Sequence, residues 1–389
     1  MTYLLLSSLL TLSALIIIRW LHTQHHLDIV VSPSPAPPDA PSISICVPAR
    51  NEERNIGACV TALLAQDYPD FEVIVLDDCS TDSTPEILRR FATQEDRLRV
   101  LLGSDLPSGW AGKPHALHQA AGAARGEWLC FVDADTFLAP AALSSCYAKA
   151  METRADLFTI LTFQVMGTFW EKAVLPLVMT ALSVGFSPRK VNDPARRDAI
   201  ANGQFILIRR AVYDAIGGHA RIKDRIVEDK AIAEQAKGNG YKLVIADGMQ
   251  VARTRMYTSL ASMWEGWTKN IYLGLSDRPA MLLLGAFGAT LAVIAALFMP
   301  VWPMLGAAWW LNGGGWMAAT AVTESLLVWA YLLTVRAGSL RAMGLSGWWT
   351  LTTPLGAAVF AAMMLASAWK VLSGRGVTWK GRRYNSRPT

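Results

Sequence analysis

Along residues 43–132, short unbroken apolar runs alternate with segments of helical spacing. The runs at 43–47, 71–76, 98–102 and 128–132 are too short for helices and apolar at successive positions, which predicts strands buried on both faces. Residues 55–64 and 115–124 carry apolar side chains at helical spacing. A further helix is expected over 85–91, with Thr84 a suitable N-cap and Pro85 a suitable first residue. Strands and helices joined by short loops predict an α/β domain whose mostly parallel sheet is covered on both sides. Such sheets bind ligands beyond the carboxyl ends of their strands.

Outside this region the pattern changes. Residues 4–20 are almost entirely Leu, Ile, Ser, Thr and Ala, with no basic start and no small-residue cleavage site, so they read as an uncleaved anchor. That run is close to the roughly 20 residues a span needs. Five prolines between Ser32 and Pro41 predict an extended linker. Beyond Pro279 three candidate spans follow, at 280–298, 316–333 and 350–369, and Glu324 inside the second requires a partner. Residues 299–315, with Trp302, Trp309, Trp310 and three consecutive glycines, fit an interfacial turn, a re-entrant segment or a short extra crossing. Segments 169–186 and 256–275 are apolar enough either to lie at a membrane interface or to fill a domain core. The expected division is an anchor at 1–21, a linker at 22–41, a soluble domain at 42–255, an interfacial segment at 256–279, a membrane region at 280–370 and a basic tail at 371–389. The end of the chain carries Lys370, Arg375, Lys380, Arg382, Arg383 and Arg387 without an acid, which places it in the cytoplasm. A domain on the same side calls for four or five spans in all.

Composition agrees with a soluble domain held between anchors: 52% of the 389 residues are hydrophobic, concentrated at the two ends. The formal charge of +5 suits nucleic acid, anionic lipid or phosphate-bearing substrates and does not choose among them. Cys46, Cys59, Cys79, Cys130 and Cys146 form no CxxC pair and no zinc spacing, as expected of reduced thiols packed in a cytosolic domain.

The candidate chemistry lies at the strand ends. Pro48-Ala49-Arg50-Asn51-Glu52, Asp77-Asp78-Cys79-Ser80-Thr81-Asp82, Gly112-Lys113, Asp133-Ala134-Asp135 and Glu228-Asp229 follow one another in the order and at about the separations found in one family. Over roughly residues 43–275 the chain resembles the family 2 glycosyltransferases. The resemblance implies a GT-A nucleotide-sugar-binding α/β domain with a mostly parallel sheet, joined to N-terminal and C-terminal transmembrane helices. It implies that Asp78, Glu52 and the backbone near Pro48 and Ala49 meet the base and ribose of the nucleotide, uracil being the commonest base. Asp77 either orients this loop or makes an Asx turn, and Arg50 and Asn51 order it.

Asp133-Ala134-Asp135 resembles the family's DxD motif. Two carboxylates one residue apart can hold Mn²⁺ or Mg²⁺ through oxygen, with Asp135 the more direct ligand and Asp133 leaning toward the ribose or the metal's waters. Lys113, in a turn with two glycines, steadies a phosphate or is a solvated lysine. The GxxxxGK pattern before Ser or Thr is absent, so the turn is not a Walker loop. Asp229 takes the family's general-base position, with Glu228 as neighbour or acceptor contact; as a bare pattern the pair equally suits the start of a helix. Asn202-Gly203-Gln204 matches a segment that approaches the sugar.

The QxxRW motif of processive synthases has no counterpart in 253–270. The chain is closer to the lipid-glycosylating branch that includes hopanoid-associated, carotenoid-ester and ceramide glucosyltransferases, and residues 378–384 look like that branch's closing motif. The implied enzyme is an inverting, metal-dependent hexosyltransferase of the inner membrane, multi-pass, with its catalytic domain facing the cytoplasm. Its partners, by resemblance, are a nucleotide-sugar donor such as a UDP-hexose, a membrane lipid acceptor and the bilayer, with no nucleic acid. Arg382 and Arg383 are candidates to add positive charge at the phosphates. The alternatives are a polysaccharide synthase, a polyprenyl-phosphate sugar transferase, or a noncatalytic nucleotide-sugar-binding scaffold.

Overall fold

The computed structural model describes residues 27–185, 187–275 and 301–373, the backbone of 377–379 and 382–384, and scattered helical positions within 5–16 and 283–290. The chain forms two compact units. One comprises His26–Val165 with Phe186–Met256, the other Met1–His25 with Met166–Gly185 and Tyr257–Thr389.

The first of these contains ten strands: β1 Ile43–Ala49, β2 Phe71–Asp77, β3 Leu98–Leu102, β4 Trp128–Phe131, β5 Thr136–Leu138, β6 Leu157–Leu161, β7 Phe163–Gln164, β8 Ile206–Arg209, β9 Leu243–Asp247 and β10 Ala252–Thr254. Seven of them form one sheet in the order β3-β2-β1-β4-β8-β6-β9. Its pairs are parallel except where β8 runs against β4 and β6. The unbroken apolar runs have a direct cause. Ile45, Val47, Val73, Val75 and Cys130 enter one core layer, and the alternate residues Cys46, Ile74, Leu76, Leu129 and Phe131 enter the other. A strand covered on both faces needs apolar side chains at successive positions.

β1 continues through Pro48, where the apolar pattern predicted its end. Proline is tolerated there because pairing with β4 stops at Cys46 and Phe131. Pro48 faces the same side as Cys46, two residues past the last β4 partner, so its missing N–H removes no ladder bond. The strands part at this point, and Pro48 lines the cleft that opens.

Two loops leave the carboxyl ends of β1 and β2 and are tied together by hydrogen bonds. Arg50 Nη1 donates to the Asp78 and Cys79 carbonyls at 2.5 and 3.2 Å, and Thr81 N donates to Asn51 Oδ1 at 2.8 Å. Both Asn51 (φ 52°) and Cys79 (φ 54°) take left-handed backbone conformations that these bonds hold in place. Ser80 N donates to Asp77 Oδ1 at 3.3 Å, so Asp77 orients its own loop. Thr84 does not cap its helix: its hydroxyl accepts from Glu52 N at 2.8 Å, and the cap position falls on Ser83. The linker is docked along the unit as well as extended, with Val31 fully buried and Ser34 N donating to Ser145 Oγ at 2.9 Å.

In the other unit, the helix Phe169–Gly185 opens with a capping box, in which Thr168 N donates to Glu171 at 2.5 Å and Glu171 N donates to Thr168 Oγ1 at 3.4 Å. Its backbone touches the helix Thr353–Ser373 at Gly356, where a Cβ would stand 2.1 Å from the Ala173 carbonyl oxygen. Only glycine permits that approach. The helix Leu260–Leu275 buries Met263, Trp267 and Thr268. Residues 299–315 hold the helix Val301–Leu311, which turns at Gly313 (φ 85°) into Gly315–Ala342. Eleven residues span about 16 Å, too little to cross a bilayer alone. Among the described residues, Gly315–Ala342 and Gly347–Lys370 are long and apolar enough to do so. Within the first of these, Glu324 accepts from Ser8 Oγ at 3.1 and 3.2 Å. Most of the expected spans at 4–20 and 280–298 lie outside the described residues. β11 Val377–Trp379 and β12 Arg382–Tyr384 form a two-stranded hairpin that carries Arg382 and Arg383.

Candidate active site

Three segments far apart in sequence meet beyond the end of β4. The helix Gly112–Ala123 starts three residues before the predicted 115–124, which puts Lys113 in its first turn. Pro114 suits that turn, and Ala111 N donates to the Lys223 carbonyl at 2.6 Å, tying this end to the segment ahead of Glu228. Asp133 lies two residues past the end of β4, after Val132. Glu228 and Asp229 open the helix Glu228–Gly238.

Lys113 Nζ lies 2.6 Å from Asp133 Oδ1 and 2.5 Å from Glu228 Oε1. The Asp229 carboxylate is held by two backbone amides, Lys230 N to Oδ1 at 2.7 Å and Gly203 N to Oδ2 at 3.2 Å. Lys113, Asp133, Glu228, Gly203, His219 and Pro48 line a small cleft. Pro48, Lys113, Asp133 and Glu228 are thus brought together as candidate residues. Asp229 borders them through Gly203, at which a Cβ would lie 3.4 Å from Asp229 Oδ2 and from Asp133 Oδ2.

Burial raises Asp133, Glu228 and Asp229 above the usual carboxylate range, against the pull of Lys113. Burial would depress Lys113, but Asp133, Glu228 and Asp229 override it and hold the ammonium well above its ordinary value. One cation therefore faces three carboxylates. Asp135 and Glu52 are near enough that, after burial, they and Asp133 help to push the Cys59 thiol upward. Asp78 and Ala49 are joined at the base of the β1 and β2 loops, Asp78 N donating to the Ala49 carbonyl at 2.7 Å. Arg382 and Arg383 belong to the other unit.

Among the described residues no three His, Cys, Asp or Glu side chains converge as a ready-made metal cage. Asp133 and Asp135 instead offer two hard oxygen donors in a site with surplus negative charge. That donor set fits an ion such as Mg²⁺, which binds one or two carboxylates and completes its shell with phosphate oxygens and water.

His219 plays a part that spacing did not suggest. Its Nδ1 hydrogen-bonds the Tyr213 hydroxyl at 2.9 Å, and its ring meets Phe131 edge-on at 4.8 Å. Gly218, at φ +51°, is required here because a Cβ would lie 2.5 Å from the Tyr213 ring. Burial, with the positive charge of Lys113 and His118, lowers the His219 pKa to about 3. The folded imidazole stays neutral where an unfolded one, titrating near 6.5, takes up a proton. The stability this confers is complete above pH 6.5 and is lost as pH falls toward 3. Between pH 7 and 5, wild type should lose about 2 kcal/mol more stability than H219Q. Unfolding of both proteins at the two pH values measures this, and equal pH slopes would refute it.

Residues 44–217 match the family model described as Glycosyl transferase family 2. The 4,4'-diaponeurosporenoate glycosyltransferase of Staphylococcus aureus strain USA300 is 28% identical over 263 residues, 65% of this chain and 68% of its own length. That of strain MRSA252 is 29% identical over the same shares. Among solved structures, a mannosyltransferase from Pyrobaculum calidifontis in complex with GDP-Man and Mn²⁺ is similar with a TM-score of 0.56 and 19% identity, covering 95% of this chain and 98% of that one. This last likeness concerns the fold.

Proposed function

For this chain, a glycosyltransferase that carries a Glycosyl transferase family 2 domain, we propose inverting transfer of a hexose from a UDP-sugar to a hydroxyl of a membrane lipid. The observation that carries the reading is the meeting of Lys113, Asp133 and Glu228 beside Asp229 at the carboxyl end of a GT-A-like sheet. The tied loops after β1 and β2 present Asp78, Glu52 and the backbone of Pro48 and Ala49 to the nucleotide. Lys113 contributes positive charge toward the diphosphate. Asp135, with Asp133, would hold a divalent ion. When bound, that ion neutralises charge on the departing nucleoside diphosphate as a Lewis acid. The acceptor oxygen attacks the anomeric carbon while the bond to the diphosphate breaks, and Asp229 takes the hydroxyl proton. Asp229 suits this task because two amides orient it and burial raises its basicity.

Two features support a lipid acceptor. The relatives are named for glycosylation of 4,4'-diaponeurosporenoate, a lipid-like molecule. The chain also carries two helices apolar enough to enter a bilayer. The proposed setting is the inner membrane, crossed several times, with the nucleotide-sugar domain and the basic tail in the cytoplasm. Purified enzyme incubated with UDP-glucose, UDP-galactose, UDP-N-acetylglucosamine and GDP-mannose, plus total membrane lipid, should yield one lipid product heavier by a single sugar. A ladder of longer glycans, or transfer only to water-soluble acceptors, would overturn the lipid reading.

A further inference from the structure

Gly203 is unusual among the glycines that shape this site. Its backbone is not left-handed, so the chain conformation does not demand glycine there. Its surroundings are close and charged: a Cβ would lie 3.0 Å from Lys113 Nζ and in contact, at 3.4 Å, with both Asp133 Oδ2 and Asp229 Oδ2. A methyl group at that point would exclude water or substrate from three charged groups at once. The peptide of the same residue donates its N–H to Asp229 Oδ2 at 3.2 Å. The placement of this peptide, together with the amide of Lys230 on the other oxygen, therefore sets the direction of the carboxylate.

A buried residue of β6 holds that peptide. Thr159 is fully buried, and its hydroxyl closes both ends of the turn containing Gly203. Oγ1 accepts from Asn202 N at 2.9 Å and donates its proton to the Phe205 carbonyl at 2.8 Å. Within the turn, Phe205 N donates to the Asn202 carbonyl at 2.9 Å. Asn202 Nδ2 donates to the Ile160 carbonyl at 2.9 Å and to Gln204 Oε1 at 3.2 Å, and the Thr162 hydroxyl also donates to Gln204 Oε1. The turn is thereby bonded to β6 and its continuation through Thr159, Ile160 and Thr162.

We propose that Thr159 is a positioning residue: it clamps the Asn202–Phe205 turn so that the Gly203 N–H aims the Asp229 carboxylate at the acceptor hydroxyl. The inference rests on Asp229 being the base. Displacements of about 1 Å in a reacting geometry cost on the order of 10²-fold in rate. A clamp that holds one hydrogen bond to the base is thus a point of high leverage.

T159V keeps the shape of the side chain and removes the hydroxyl, whereas T159S keeps the hydroxyl. With total membrane lipid and the nucleotide sugar that gives the most product, T159V should lose about 10-fold to 100-fold in kcat. The KM for the nucleotide sugar and the affinity for UDP should stay at their wild-type values, and T159S should restore kcat. Thermal unfolding of each variant, with assays well below the transition, separates misplacement from loss of folded protein. The decisive comparison is D229N against D229N/T159V. If the clamp acts through Asp229, the double variant keeps the residual rate of D229N, because groups acting in one chain are not additive. Wild-type kcat in T159V, or the same fractional loss in both backgrounds, would overturn the proposal. Near-normal transfer by D229N would instead refute the base assignment beneath it.

Discussion

Asp229→Asn should reduce sugar transfer by roughly 10²-fold to 10⁴-fold, the usual contribution of a positioned general base, with nucleotide affinity unchanged. The asparagine has nearly the same volume, and its one side-chain oxygen keeps one of the two amide contacts that the carboxylate now makes with Lys230 N and Gly203 N. What it lacks is the capacity to take a proton. The fold should tolerate the change, because burial already disfavours the ionised carboxylate at this position. Purified wild type and D229N are to be compared for nucleotide-sugar affinity by calorimetry and for glycolipid formation by mass. Equal affinity with product nearly absent is the expected result. Near wild-type transfer would eliminate Asp229 as the base, and would be the outcome for an acceptor that arrives already ionised.

Asp135→Ala, and removal of divalent cations from wild type, should each abolish transfer. Asp133 is already engaged by Lys113 at 2.6 Å. Asp135 therefore carries the larger share of the proposed metal contact, and D133A should be milder than D135A. Binding of Mn²⁺ in the presence of UDP, followed by electron paramagnetic resonance, gives a readout apart from turnover: D135A should weaken it more than D133A. Full activity of both D135A and the chelated wild type would remove the metal from the reaction.

The α/β sheet was legible because its strands are buried on both faces, which demands apolar residues in unbroken runs. Asp78 and Asp133 were legible for a related reason. A parallel sheet brings the carboxyl ends of its strands to one edge, so acids that follow strands in sequence come to that same edge. The glycosyltransferase assignment followed from five short motifs in order.

Other features had no local signal. Thr84 reads as an N-cap, yet its hydroxyl serves Glu52 thirty-two residues away. Residues 169–186 read as interface or as domain core, and it is packing against Gly356 that groups Phe169–Gly185 with the C-terminal helices. Thr159 looks like any strand threonine, because its two partners lie more than forty residues further along the chain. Sequence alone determined the run of strands and helices over residues 43–132, the resemblance to a family and the residue types available for chemistry, since these depend on period and on short motifs. The tertiary structure decided which groups touch: that Lys113 bridges Asp133 and Glu228, that Gly203 holds Asp229, and that His219 is buried neutral against Tyr213 and Phe131. Hydrogen bonds and ion pairs act over about 3 Å of space, and separation along the chain does not record that distance.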